Sequence, residues 1–302
     1  MKSNHLVAYT EALLCTFLWS SSYVLIKIGL LEIPPLLFAA LRYTLAFTVL
    51  GTLYVAVGGR AEKSDQERTN LSNKKALLLV AGICGYTLAQ GLQFVGLFYL
   101  AAVTATVVLN FTPAFVLILG IMFLGEDVPR FGLAGLSVAL LGAFVFFWGR
   151  LSGGVEQVGI LVVTVSGLSW AIYMIIIGKI QRTDSFGSLK LTASTMGIGT
   201  AGLLLLAAVF DGANSISLNG VLIVVWLAIV NTALAFLLWN HALRSIKAYQ
   251  LSVIQNSMLA QVAVLGWIFL GEPLTYPMIL GILLVIVGVV IVQLPVNTKR
   301  EP

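Results

Sequence analysis

Apolar stretches long enough to cross a bilayer follow one another along almost the whole chain. About twenty helical residues span the roughly 30 Å of hydrocarbon in a membrane. Divided at charges, prolines and turn clusters, the runs fall at Leu6–Leu30, Pro35–Val57, Ala76–Leu100, Ala102–Leu124, Phe131–Gly149, Val158–Ile180, Gly187–Phe210, Leu218–Leu243, Ala248–Leu270 and Tyr276–Leu294. The expected fold is an all-α membrane protein with ten transmembrane helices. Composition agrees: 59% of residues are hydrophobic and 10% charged, where a soluble globular chain carries about a quarter charged. A length of 302 residues would otherwise suit two soluble domains, but these runs leave no space for one.

The connections set the path. Only Gly58 to Lys75 is long, polar and charged; the others are tight, so consecutive helices are expected as antiparallel neighbours. The net charge of +5 is not a nucleic-acid signal, because its basic residues gather in alternate loops. With the N-terminus inside, one side collects Lys2, Arg60, Lys63, Arg68, Lys74, Lys75, Arg130, Lys179, Arg182, Lys190, Arg244, Lys247, Lys299 and Arg300. The other side keeps Lys27 and Arg150, while Arg42 lies within the second span. That asymmetry places both termini in the cytoplasm of a multi-pass protein of the cytoplasmic (inner) membrane. Cys15 and Cys84 both sit inside apolar runs, so no disulfide framework is expected. The first run exceeds a signal h-region and no small-residue cleavage site follows it, which reads as a retained span.

The chain also repeats itself. Adding 146 maps Leu119, Gly120, Phe123, Leu124, Gly125 and Glu126 onto Leu265, Gly266, Phe269, Leu270, Gly271 and Glu272. The same offset carries Asn110 onto Asn256, Gly135 onto Gly281 and Gly142 onto Gly288. Matching Asn, Gly-Glu and glycine positions outweigh chance matches among Leu and Val, so the expected halves are 1–150 and 151–302. Five spans per half is odd, and the second copy must then enter from the opposite side. Transporters of inverted-repeat design hold substrate near the midplane, between the repeats.

The opening "FLWSSSYVLIKIGLLEIPPLLFAALRYTLAF" resembles that of EamA-type proteins of the drug/metabolite transporter superfamily. So do "YLAAVTATVVLNFTPAFVLILGIMFLGE" and "WNHALRSIKAYQLSVIQNSMLAQVAVLGWIFLGE", late in each half. The resemblance implies a ten-helix secondary transporter, often an exporter of amino acids or related metabolites. Its cavity would be lined by the first, third, fourth, sixth, eighth and ninth spans. Two departures fall near that cavity: Pro113 maps to Leu259, and His241 stands where an aromatic such as Tyr is usual.

Polar groups in hydrocarbon are expensive and usually face a cavity or a partner helix. Tyr86, Gln90 and Gln93 share one face of the third span, and Thr106 and Asn110 share a face with Pro113 in the fourth. Ser252 and Asn256 are their mates in the ninth. Cys15, Trp19 and Ser22 in the first span have the spacing of Ser166, Trp170 and Tyr173 in the sixth; Asn231 and Trp239 share a face of the eighth. The candidate substrate-binding set is thus Trp19, Ser22, Tyr86, Gln90, Gln93, Asn110, Trp170, Tyr173, Asn231, Trp239 and Asn256, suited to a neutral or amphipathic solute. Asn110 and Asn256 equally suit hydrogen-bonded helix packing. Trp148 and Trp226 read as interfacial or lipid-facing, and Gly125-Glu126 and Gly271-Glu272 as helix-ending turns. Glu11 and His241 are candidates for proton coupling, though both lie near the cytoplasmic edge. Lys27 is close enough to the outer surface to snorkel, and Arg42 reads as structural with a polar partner.

Catalytic and nucleotide motifs are absent: no HExxH, GxSxG, GxxxxGK[ST] or paired intramembrane carboxylates,. An embedded enzyme is disfavoured, and a flippase for lipids or lipid-linked sugars is the runner-up. No cofactor, metal or nucleic acid is expected. The expected partners are a small-molecule substrate and the bilayer, with the protein a monomer or weak homo-oligomer. The topology is checked by a single cysteine introduced near Pro302. It should resist an impermeant maleimide in intact cells and react only after lysis; labelling of intact cells would overturn the orientation.

Overall fold

The computed structural model describes residues 2–56, 75–124, 131–148, 154–183, 188–212, 215–242 and 248–292. The charged linker 58–74 and most of the basic loop residues lie outside these. Every regular element among the described residues is helical. Taking contiguous pieces together, they are α1 (Lys2–Gly29), α2 (Pro35–Ala56), α3 (Lys75–Tyr99) and α4 (Ala102–Leu109 with Thr112–Leu124). Then follow α5 (Gly132–Phe147), α6 (Val155–Thr183), α7 (Ser188–Phe210), α8 (218–242), α9 (Ala248–Leu270) and α10 (Tyr276–Val292). Six contain stretches long and apolar enough to cross a membrane, and four shorter apolar helices accompany them.

Size distribution across the fold is that of a protein in lipid. Large apolar side chains such as Leu13, Phe17, Phe144, Leu205, Trp226 and Trp267 are exposed, while Ala12, Ala39, Ala46, Ala81 and Ala105 are buried. Lipid is as apolar as Leu, so packing between helices is gained where small residues admit close approach. The tightest case is α5 against α10. A Cβ on Gly142 would lie 2.8 Å from the Gly281 carbonyl oxygen, and one on Gly288 would lie 2.6 Å from that of Gly135. Numbers rise along α5 as they fall along α10, so the two run antiparallel. Adding 146 turns each contact into the other.

That reciprocity extends through the molecule. α3 packs on α6 as α8 packs on α1; α4 packs on α6 as α9 packs on α1; α3 packs on α7 as α8 packs on α2. Each of α3 and α8 contains a widened π-turn, Ile83–Leu88 and Ile229–Leu234, and these coincide under the same offset. α4 differs from α9. Pro113 has no N–H and its ring crowds the preceding turn, and α4 breaks at Asn110 and Phe111. With buried Leu259 at the matching place, α9 runs unbroken from Ala248 to Leu270.

Helix ends at one face are joined by acidic residues. Leu37 N–H of α2 donates to Asp211 Oδ2 at 2.7 Å. Ser217 accepts from Gly220 N–H of α8 and donates to Glu32 Oε1 at 2.9 Å. Glu272 receives Ala102 N–H at 2.6 Å and Val103 N–H at 3.1 Å, capping α4 from the end of α9. Asp211 and Glu272 meet backbone N–H groups at the positive end of a helix dipole directly, and Glu32 does so through the Ser217 hydroxyl,. Lys27 adds the opposite half of the clasp, donating to the Leu97 and Leu100 carbonyls at the end of α3. Gly271, with φ of 65°, ends α9 in the left-handed region and turns Glu272 back towards α4. The turn expected at Gly271-Glu272 is thus also a cap for another helix.

Replacing Gly281 by Leu should lower stability by at least the roughly 1–3 kcal/mol typical of overpacking, because its Cβ would lie 2.6 Å from Phe146 Cβ and 2.7 Å from the Gly142 carbonyl oxygen. Gly178→Ala, where nothing lies within 4 Å, is the control. Thermal unfolding in detergent reads the difference; equal melting temperatures for both variants would contradict the packing.

Candidate functional site

Arg42 is the only charged residue between Pro35 and Ala56, and the chain buries it to 6% exposure. Its Nε donates to Thr232 Oγ1 of α8 at 3.0 Å. Its guanidinium carbon lies 5.5 Å from the Tyr43 ring centroid and 5.9 Å from that of Phe94. Tyr23 of α1 adjoins the same group. Thr232 sits in the π-turn of α8 and donates its own proton to the Leu227 carbonyl at 2.9 Å, five residues back. Widened turns of this kind recur at functional sites.

From Tyr43 a row of rings crosses α3 to α6. The Tyr43 hydroxyl donates to Gln90 Oε1 at 2.7 Å. Tyr43 and Tyr86 meet edge to face at 5.7 Å, as do Tyr86 and Tyr173, and Tyr173 stacks on Trp170 at 4.8 Å. Gly85 makes the row possible, because any side chain there would collide with the Tyr173 ring. Ser166 draws α6 onto α3 by donating to the Ala89 carbonyl at 2.6 Å. Tyr86 is only 1% exposed; its hydroxyl lies beside Tyr173 and Thr195 without completing a hydrogen bond.

A second group joins α1 to α8. Trp19 lies 5.0 Å from Trp239 and 6.0 Å from Phe236, ring centroid to centroid. Cys15 Sγ donates to the Ala235 carbonyl at 3.2 Å. Asn231 Nδ2 donates to the Leu18 carbonyl and to Ser21 Oγ, while its buried Oδ1 has no partner. Ser22 is buried and donates to the Trp19 carbonyl of its own helix at 2.6 Å.

The sequence-derived residues therefore fall into two groups. Tyr86, Gln90, Trp170 and Tyr173 come together between α3 and α6; Trp19, Trp239 and Asn231 come together between α1 and α8. Of two consecutive residues on α2, Tyr43 touches the first group, and Arg42 bonds Thr232, the neighbour of Asn231 on α8. Asn110 is partly buried and donates from Nδ2 to the Thr106 carbonyl at the break in α4. Gln93 is partly buried on α3, and Glu11 is partly buried on α1 with an interaction partner. The side chains of Asn256 and His241 lie outside the described residues.

Tyr23 and Tyr43 were not singled out by sequence, since a Tyr in an apolar run has no periodic signal of its own. The neighbouring charge at Arg42 was the available cue. Gln261 was also passed over: it accepts from Ser20 Oγ at 2.9 Å and donates to Ser257 Oγ at 2.9 Å, tying α1 to α9. A surface cleft of about 390 Å³ lies apart from both groups, between α2 and α7, lined by residues including Phe47, Tyr54, Lys190 and Gly197. Among the described residues no three His, Cys, Asp or Glu side chains come together to hold a metal.

A bundle of apolar helices with exposed large side chains, small buried ones and a polar, aromatic interior defines a multi-pass membrane protein. Within that class, the chain belongs to the EamA-like transporter family, whose model matches residues 6–148 and again 157–294. It is 27% identical to an "Uncharacterized transporter" of Archaeoglobus fulgidus, over 91% of this chain and 93% of that one. It is 29% identical to a "Probable amino-acid metabolite efflux pump" of Salmonella typhimurium, covering 93% of this chain and 92% of the other. A crystal structure of another protein superposes with a TM-score of 0.67 at 19% identity, covering 99% of this chain and 98% of that chain. That likeness shows the fold.

The two central tyrosines should respond oppositely to loss of the hydroxyl. Tyr43→Phe removes the donor to Gln90 and should cost about 1 kcal/mol. Tyr86→Phe removes a buried group that has no hydrogen bond and should leave stability unchanged or raise it. Tyr86→Ala would test packing instead, since emptying so buried a ring position costs about 3–5 kcal/mol. Melting temperatures of the two Phe variants check this; a larger loss for Tyr86→Phe would refute the assignment.

Proposed function

We propose that the protein is a secondary transporter that exports small amphipathic metabolites, such as amino acids, across the cytoplasmic membrane by alternating access. The proposed moving parts are two inverted five-helix halves, 1–150 and 151–302. The observation that carries this reading is the reciprocal packing of α3 on α6 and α8 on α1, which gathers the aromatic and amide groups into two matching clusters, one at each helix pair. The family model's two separate matches support the division, and the named efflux relatives support the direction. In this reading the face bearing Glu32, Asp211 and Glu272 is external, and Lys27 and Glu272 close it by gripping the turn between α3 and α4. Transport in such proteins needs no cofactor, only a substrate gradient or a coupled ion.

The cleft between α2 and α7 favours a second reading, movement of a lipid, because it opens on the helix surfaces that lipid would cover. Reconstituted liposomes separate the two. Counterflow of one amino-acid class is expected above protein-free vesicles, reduced at least tenfold in Trp19→Ala and Trp170→Ala proteins whose melting temperatures stay close to wild type. Flux of a labelled lipid without flux of any small solute would replace the first reading with the second. Unaltered counterflow in both tryptophan variants would remove these side chains from the site.

A further inference from the structure

Arg42 carries more hydrogen-bonding capacity than the protein uses. A guanidinium presents five N–H donors and no acceptor, and the one described hydrogen bond is from Nε to Thr232. The charged neighbours that would neutralise it are missing among the described residues: the groups acting on it are the tyrosines at 43 and 23. The rings of Tyr43 and Phe94 lie 5.5 Å and 5.9 Å from its carbon, which holds its position but supplies no counter-charge,. Ionisable groups in hydrocarbon are rare and as a rule meet a partner or a polar cavity. The residue is 94% buried, and its remaining surface is accessible.

A second orphan stands one residue from its only partner. Asn231 Oδ1 is buried and receives no hydrogen bond. Its orientation is not interchangeable with the amide nitrogen, because a flipped amide would set its oxygen against the Leu18 carbonyl oxygen,. So α2 presents donors bearing a positive charge on a residue 6% exposed, and α8 presents a buried, unused acceptor one residue from Thr232.

We propose that Arg42 is the substrate-recognition residue of this site: its free guanidinium N–H groups take a carboxylate, and Asn231 Oδ1 takes a hydrogen-bond donor carried near it. The proposal rests on the transport reading and narrows its substrate class to small carboxylic acids with an apolar or aromatic remainder. Planar N–H pairs match a carboxylate in two parallel hydrogen bonds, a geometry that a lysine ammonium does not reproduce. The carboxylate supplies the counter-charge that the fold itself withholds, so bound solute and buried cation stabilise one another. An amide of the same shape would bring a donor against donors and no charge.

Acid–amide pairs test this on the purified full chain: L-leucine with L-leucinamide, L-phenylalanine with L-phenylalaninamide, and isovalerate with isovaleramide. In at least one pair the acid should raise the melting temperature at a concentration tenfold or more below its amide. Arg42→Lys should weaken that acid at least tenfold while keeping some preference for it. Thr232→Asp places a carboxylate within reach of Nε; it should abolish the preference for the acid. Equal stabilisation by acid and amide, no stabilisation in any pair, or wild-type preference in Thr232→Asp would overturn the assignment. Flux of the same solutes into liposomes distinguishes the two levels. Flux without acid preference sinks the role of Arg42 and leaves transport standing; acid binding without flux does the reverse.

Discussion

A carbonyl or N–H left unpaired in hydrocarbon costs several kcal/mol, and helices alone among open structures meet that demand internally. The polar side chains obey the same rule. Thr16, Ser21, Ser22, Thr44, Thr106, Thr164 and Ser169 donate to carbonyls three or four residues back in their own helices. Such back-bonding satisfies the hydroxyl and says nothing about function. A smaller number reach across to another helix: Thr87 to the Gly199 carbonyl, Ser166 to that of Ala89, Asn231 to that of Leu18. What remains after both groups are set aside is short, and Arg42, Asn231 Oδ1 and the Tyr86 hydroxyl belong to it. Thr104 Oγ1 and Thr200 Oγ1 are buried without a partner as well, so incomplete solvation singles out the candidate site only together with the charge and the rings around it.

Backbone and chemistry follow the 146-residue offset to different degrees. The π-turns match, the glycine contacts of α5 and α10 match, and the helix pairings match. The side chains inside the π-turns do not. Tyr86 and Thr232 hold equivalent places, yet one meets Tyr43 and the other Arg42, neighbours on a single helix. The spacing of 151 that pairs Cys15, Trp19 and Ser22 with Ser166, Trp170 and Tyr173 carries Lys27 onto Gly178. A reciprocally packed scaffold thus surrounds an asymmetric interior. The break at Pro113, absent at Leu259, adds a backbone difference to the chemical one.

Helix class and span positions were legible because the apolar runs are long and their punctuation is charged. The reciprocal packing was foreshadowed by Gly135, Gly142, Gly281 and Gly288, whose spacing survives in both halves. Less legible was which polar stripe faces what. Cys15, Trp19 and Ser22 share a helical face, but only Trp19 joins an aromatic group; Cys15 and Ser22 are spent on carbonyls. Periodicity reports a face and cannot report whether a hydroxyl turns back to its own backbone. The π-turns were invisible for a similar reason, since "ICGYTL" and "IVNTAL" share no composition that enforces a widened turn. The caps supplied by Asp211, Glu32 and Glu272 join residues 174, 185 and 170 positions apart, beyond anything local pattern encodes.

Thr232 connects the shape of α8 to the state of Arg42 through one oxygen atom. Its hydroxyl has a single proton, given to the Leu227 carbonyl, and its lone pair receives Arg42 Nε. In a regular α-turn the Leu227 carbonyl would be taken by the Asn231 N–H, and the Thr232 proton would have to go elsewhere. Arg42 would then face a differently oriented hydroxyl, and Asn231, whose amide holds α1 at Leu18, would rotate with the turn. The π-turn therefore positions both orphan groups at once. The end of the bundle that bears these acidic residues is tied separately, through Glu32 and Ser217 to the start of α8 and through Asp211 to the start of α2. Phe236 and Trp239, in the half of α8 beyond the π-turn, lie against Trp19, so the helix whose widened turn orients the buried cation also carries the rings that pack on α1.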